Sequence, residues 1–248
     1  VQPARSVGGD LYSYHRRDRL LYIAVGDVSD KGVPAALFMA RAISLLQQLG
    51  PASRDPAVAM AALNNALASG NDNCMFVTLF LGVVDLDSLE LRFCSAGHTR
   101  PSLVRAGRAQ SIGQEQGPAL GLAADLDFPR NILQLQGGDR LAIFTDGIDE
   151  AFNAVDEMFG LERFNQALLD CRALPVAIAG ARLFEALRGF SGETPQSDDI
   201  CLLLLDIGSA VAPAVLATAE FTREPGLTAR VESWLRQALA PLLLPQQL

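Results

Sequence analysis

The sequence predicts an α+β fold, and three observations lead there. Apolar runs of strand length recur and are joined through short polar turns, as the strands of hairpins are. Between and after them lie stretches with an apolar face at helical spacing, bounded by aspartate, proline and glycine. Half of the 248 residues are hydrophobic, enough for a sizeable buried core in one main domain plus an appendage.

Each element follows in order. LLYIAVGDV, residues 20–28, is apolar and rich in β-formers, a buried strand with Asp27 near its end. The polar turn SDKG follows. Pro34 then suits the first turn of a helix with Ala36, Leu37, Ala40, Ile43 and residues 46–49 as its apolar face, stopped by Gly50 and Pro51. Asp55 and Pro56 are the N-cap and first position of a second helix, running toward Ser69. Residues 75–98, MFVTLFLGVVDLDSLELRFCSAGH, read as a hairpin turning at Asp87 and Ser88, and residues 101–112 as another turning at Gly107. GGDRLAIFTDG holds a strand over 140–145 that delivers Asp146 and Gly147 at its far end. Helices follow over 161–171 and 175–188, and SDDICLLLLDI opens a buried strand with Asp198 and Asp199 at its mouth. Beyond Asp206 the texture shifts to Ala, Pro and Val. Glu224 and Pro225 open a helix whose stripe of Leu227, Val231, Trp234, Leu235, Ala238 and Leu239 needs a partner, either the domain or a second chain in a homodimer.

Composition excludes several functions. The formal net charge is −8 and no basic run occurs, which argues against nucleic acid and against an anionic membrane surface. Cys74, Cys94, Cys171 and Cys201 are widely spaced with no CxxC pair, so neither a zinc site nor a disulfide framework is indicated and a reducing cytoplasm fits. Apolar runs are far shorter than the roughly 20 residues a membrane helix needs. The opening VQPARS reads as the middle of a longer protein, so targeting or sensor segments upstream would not be visible in it.

The recurring element is an aspartate at a strand end: Asp10, Asp27, Asp146 and the pair Asp198 and Asp199, three of them beside glycine. Any one Gly-Asp alone is a turn. Brought together, four carboxylates repel and are pushed toward protonation unless something positive sits among them. The chain supplies little, since Lys31 is its only lysine and Arg5 the arginine near these turns. Oxygen ligands without a suitably spaced histidine or cysteine select hard dications, magnesium or manganese; His15 and His98 are too few and too separate.

Taken in order, QPARSVGGDLYSY, GDVSDKGVPAALFMA, FVTLFLGVVD, CSAGHTRP, GPALGL, GDRLAIFTDGIDEAFN, MFGLERF and SDDICLLLL resemble the successive motifs of the SpoIIE-like bacterial branch of the metal-dependent type 2C (PPM) protein phosphatases, collinearly from Gln2 to about Ile207. The resemblance implies a four-layer α/β/β/α sandwich of two antiparallel sheets flanked by helices, over residues 1–207, followed by a C-terminal extension over 208–248. It implies hydrolysis of phosphoserine or phosphothreonine by a water activated between two manganese or magnesium ions. Carried over by residue, Asp10 and Asp27 share the metals, Val28 lends its carbonyl, Asp146 and Asp198 complete the site, Asp199 is a further candidate ligand, and Arg5 contacts phosphate. Cys201 stands where the branch often carries threonine and reads as a buried strand residue. The general-acid histidine of eukaryotic relatives has no counterpart; His98 belongs to a family motif and reads first as a hydrogen-bonded turn residue. From residue 216 the tail resembles the first strand and helix of anti-sigma-kinase ATPases, or else is an amphipathic helix that docks.

By that resemblance the substrate is a phosphorylated anti-sigma-factor antagonist, and a sensor or receiver domain upstream in the same chain sets activity. The competing reading is a catalytically silent, phosphatase-shaped regulatory domain that captures a partner without turnover. The intact aspartate set favours the enzyme.

Overall fold

Asp18, held at a positive φ of 54°, and Arg19 form a two-residue turn that folds β1 (Asp10–Arg17) back on β2 (Leu20–Val28). The computed structural model describes residues 1, 8–30, 32–208 and 217–218. Helix α1 (Val33–Leu49) and α2 (Pro56–Ala68) follow, then the hairpin β3 (Val77–Asp85) and β4 (Glu90–Ala96), and a second hairpin of β5 (Ser102–Arg105) and β6 (Arg108–Ser111). After β7 (Asn131–Gln134) and β8 (Arg140–Phe144) come α3 (Gly160–Asp170), α4 (Val176–Ser191), β9 (Leu202–Asp206) and the short β10 (Ala217–Thr218).

Two antiparallel five-stranded sheets result, in the orders β1-β2-β3-β4-β7 and β10-β9-β8-β5-β6. Strand alternation splits the apolar residues into three layers. Leu21, Ile23 and Val25 of β2 meet Leu141 and Ile143 of β8 and Leu203 and Leu205 of β9 between the sheets. The alternate residues Ala24 and Val28 pack outward with α1 and α2, and Ala142, Phe144, Leu202 and Leu204 pack outward with α3 and α4. This is the four-layer α/β/β/α sandwich. Burial on both faces explains why β2, β3 and β9 read as unbroken apolar runs.

Most boundaries lie where the sequence puts them. Asp55 caps α2, its carboxylate accepting from Ala57 N–H at 3.0 Å, and Ala106 and Gly107 both take positive φ at the β5–β6 turn. The face assigned to α1 needs correction in its first half. There Ala35, Phe38 and Ala42 are buried, while Leu37 is 68% exposed and Ala40 is exposed. Further along, Leu46 is buried and Ile43 and Leu49 pack against the core, as expected. β7 escapes sequence reading because NILQ is four residues long at a sheet edge and alternates between half-buried and exposed. The helix expected over residues 224–239, with Trp234, lies outside the described residues.

Arg140 and Asp206 are direct register partners in β8 and β9. The guanidinium donates to both carboxylate oxygens at 2.6 and 2.7 Å and to the carbonyls of Cys171 and Leu174, so one buried side chain ties the second sheet to the α3–α4 connection.

Candidate metal centre

The β1–β2 register sets Asp10 directly opposite Asp27. Leu11 and Val28 belong to the outer core. Alternation therefore turns Asp10 and Asp27 inward, toward the second sheet, at the end of their strands. From that sheet, Thr145 follows the inward-facing Ile143 and donates to Asp10 Oδ2 at 2.9 Å, while its Oγ1 accepts the Cys201 N–H at 2.9 Å. Asp146 comes next in the chain. On the adjoining segment Asp198 Oδ1 accepts the Asp199 N–H at 2.9 Å, and Gln196 donates to the Asp198 carbonyl.

Glycine is required here by close approach. A Cβ on Gly9 would stand 2.6 Å from Asp27 Oδ1 and 2.8 Å from the Val28 carbonyl oxygen, and one on Gly147 only 1.9 Å from the Asp199 carbonyl. Gly9 therefore lets β1 lie against the groups expected to bind metal, and Gly147 lets the Asp146 turn sit on the Asp198–Asp199 segment.

The electrostatics follow from crowding like charges in a half-buried place. Burial, then the Asp27 charge, push the Asp10 carboxyl up to about 8, against the Thr145 hydrogen bond, with Asp199 and Asp146 adding to the rise. Burial, followed by Asp146, Asp198 and Asp199, raises Asp27 to about 7. The acidic field extends to the rim: Asp149 is raised to about 6, chiefly by burial, and Glu150 is raised by burial and by Asp146 and Asp198. Neither rim residue was singled out from sequence, although both sit in the TDGIDEAFN stretch.

The family model for Stage II sporulation protein E (SpoIIE) matches residues 17–208. This chain belongs to the SpoIIE family. Asp27, Val28, Asp146 and Asp198 fall within the matched stretch of this SpoIIE-family chain, and Asp10 stands just ahead of it on β1. The phosphoserine phosphatase RsbU of Bacillus subtilis is 29% identical over 150 residues, 60% of this chain and 44% of RsbU. The chain spans less than half the length of the curated relatives it matches. Among solved structures, the SiaA-PP2C domain of Pseudomonas aeruginosa superposes with a TM-score of 0.73 at 27% identity, covering 82% of both chains. The catalytic domain of the serine/threonine phosphatase PstP, solved with two manganese ions, shares the fold at a TM-score of 0.59 and 21% identity, covering 83% of this chain and 94% of that one. The fold of the SpoIIE-family domain is thus that of PP2C (PPM) phosphatases.

Among the described residues no three His, Cys, Asp or Glu side chains meet in a ready-made metal shell. A hard dication does not require one, because magnesium keeps several waters and takes one or two carboxylates. The donor set fits such ions: oxygen ligands only, with two facing carboxylates that repel until a cation joins them.

Other expected residues find other places. Arg5 and Lys31 lie outside the described residues. Asp199 is 4% exposed and accepts the Gly9 N–H, whereas Asp10, Asp27, Asp146 and Asp198 are half-buried. Cys201 is 2% exposed, its side chain in the central core as expected. His98 is buried too, Nδ1 3.2 Å from Thr78 Oγ1, its carbonyl accepting from Ser95 and Gln116. Burial lowers it to about 4; the Phe144 carbonyl opposes this weakly, and among the described residues Nε2 makes no bond within hydrogen-bonding limits. Thr78 is the β3 partner of Asp27 and faces the same way, so the imidazole braces the neighbouring strand on the side where Asp27 points. Thr145 was missed as a functional residue because a threonine inside an apolar strand gives no local signal.

Proposed function

We propose that this chain is a phosphatase domain that removes phosphate from serine or threonine of a regulatory phosphoprotein, with water as the nucleophile. The observation that supports this most is the facing pair Asp10 and Asp27, raised to about 8 and 7, at the common end of two sheets in a SpoIIE-family fold.

Asp10, Asp27, Asp146, Asp198 and the Val28 carbonyl would hold two manganese or magnesium ions. Such ions, when bound, lower the pKa of water and neutralise phosphoryl oxygens. The chain's own part is to place its carboxylates. Thr145 fixes Asp10 Oδ2, the β1–β2 ladder fixes Asp27 opposite it, and the Gly147 contact fixes the turn that bears Asp146. His98 is neutral and enclosed, so it holds a strand and does not protonate the leaving group. Arg5 remains the proposed phosphate contact.

By the resemblance to the SpoIIE-like branch, the substrate is a phosphorylated anti-sigma-factor antagonist in a partner-switching circuit, and a sensor or receiver domain of the same protein sets the activity. The free thiols Cys74, Cys94, Cys171 and Cys201 fit a cytoplasmic setting.

The test is phosphate release from p-nitrophenyl phosphate and from a phosphoserine-bearing antagonist protein, with manganese, with chelator, and with Asp27→Asn. Manganese-dependent turnover lost in the variant supports the enzyme. Manganese binding and phosphoprotein capture without turnover would point to the silent binding domain.

A further inference from the structure

We propose that Asp199 is a positioning residue of this centre and not a metal ligand: its carboxylate sets the start of β1 and thereby the place of Asp10 opposite Asp27. The inference rests on the phosphatase reading for its catalytic readout alone.

Asp199 touches three of the segments that bear candidate ligands. Its Oδ2 accepts the Gly9 N–H at 2.5 Å, one residue before Asp10. A Cβ on Gly8 would lie 2.8 Å from the same oxygen, so the backbone runs flush against the carboxylate. Its carbonyl is the atom that a Cβ on Gly147 would strike, next to Asp146, and its own N–H donates to Asp198 Oδ1 at 2.9 Å. At 4% exposure the side chain is enclosed, while the four other aspartates are half-buried and reach solvent. A ligand needs a face open to the ion. A backbone clamp needs an acceptor oxygen at the right distance, and Asp199 has that.

The two roles separate by chemistry. Asparagine keeps an acceptor oxygen and loses the charge, whereas alanine loses both. A positioning role predicts that Asp199→Asn keeps manganese affinity within about threefold and turnover of p-nitrophenyl phosphate within about fivefold, while Asp199→Ala loses at least tenfold in each. Asp198→Asn, a ligand change, should lose both. Affinity is read by titration calorimetry on variants whose circular dichroism matches wild type.

Should Asp199→Ala fail to fold, Gly8→Ala tests the same contact, since its methyl group displaces the carboxylate; it should weaken manganese binding, and Asp199→Asn should not relieve it. Amide exchange gives a readout independent of metal and catalysis: the Gly9 N–H should be protected in wild type and Asp199→Asn and exchange at least tenfold faster in Asp199→Ala or Gly8→Ala. Loss of manganese affinity in Asp199→Asn as severe as in Asp198→Asn would overturn the proposal, as would unchanged Gly9 protection in Asp199→Ala. A wild-type protein with no turnover would count against the phosphatase reading, and Gly9 exchange would still decide the clamp.

Discussion

Thr145 Oγ1 lies 2.9 Å from Asp10 Oδ2 and joins the two sheets at the end where the carboxylates gather. The same oxygen receives the Cys201 N–H, so one hydroxyl links β1, the end of β8 and the start of β9.

Thr145→Val keeps the shape and removes both bonds. It leaves the Cys201 N–H buried without its acceptor and frees Asp10 to turn. The expected loss is about 2–3 kcal/mol of stability, with turnover reduced about tenfold or more. Urea unfolding and phosphate release check the two effects separately.

Stability without metal should fall as pH rises from about 6.5 to 8. Asp10 and Asp27 titrate near 8 and 7 in the folded chain. Unfolded, they titrate near 4. The folded state therefore holds protons that the unfolded state has shed, and raising the pH through that interval favours unfolding. His98 acts in the opposite sense: its folded value is lowered to about 4, so its contribution is complete above about 6.5 and is lost as pH falls toward 4. Above 6.5 the slope belongs to the aspartates. Thermal melts in chelator at pH 6.5 and 8 should show the higher midpoint at 6.5, and Asp10→Asn should flatten the difference.

Metal should reverse that trend. At a free manganese concentration 100 times the dissociation constant, binding to the folded state alone adds about 2.7 kcal/mol. Melting curves at pH 8 with and without manganese measure the gain. Asp27→Asn should abolish both the gain and turnover while leaving the metal-free protein as stable as wild type or more so, because it removes one of two repelling charges.

Arg140→Met should damage the fold about as much as Thr145→Val. The guanidinium is 5% exposed and serves Asp206 and two carbonyls, whereas Asp206 is 34% exposed and can recover some hydration. A loss of about 2–3 kcal/mol is expected, below that for a fully buried pair. If urea unfolding shows less than half of this, the tie between the second sheet and the α3–α4 connection is not a stabilising one.

Much of the architecture was legible because it depends on local pattern. The apolar runs of β2, β3 and β9, the Asp55 cap and the Gly107 turn are decided by neighbours along the chain, and they stand where the sequence indicates. The face of the first half of α1 and the existence of β7 were not legible, since each is settled by what packs against it. A four-residue edge strand has too few apolar positions to announce itself.

For the candidate site, the residue types could be read along the chain: aspartates beside glycines at strand ends, in an order resembling one phosphatase branch, with oxygen donors suited to hard dications. Tertiary structure decided their division of labour. Asp198 and Asp199 are adjacent in sequence and chemically identical, yet one is half-buried while the other is enclosed against the Gly9 N–H. Thr145 is joined to Asp10 across 135 positions of chain. Composition and spacing fix which groups a chain can offer, but burial and hydrogen bonding depend on partners distant in sequence, and only the packing of the two sheets brings those partners together.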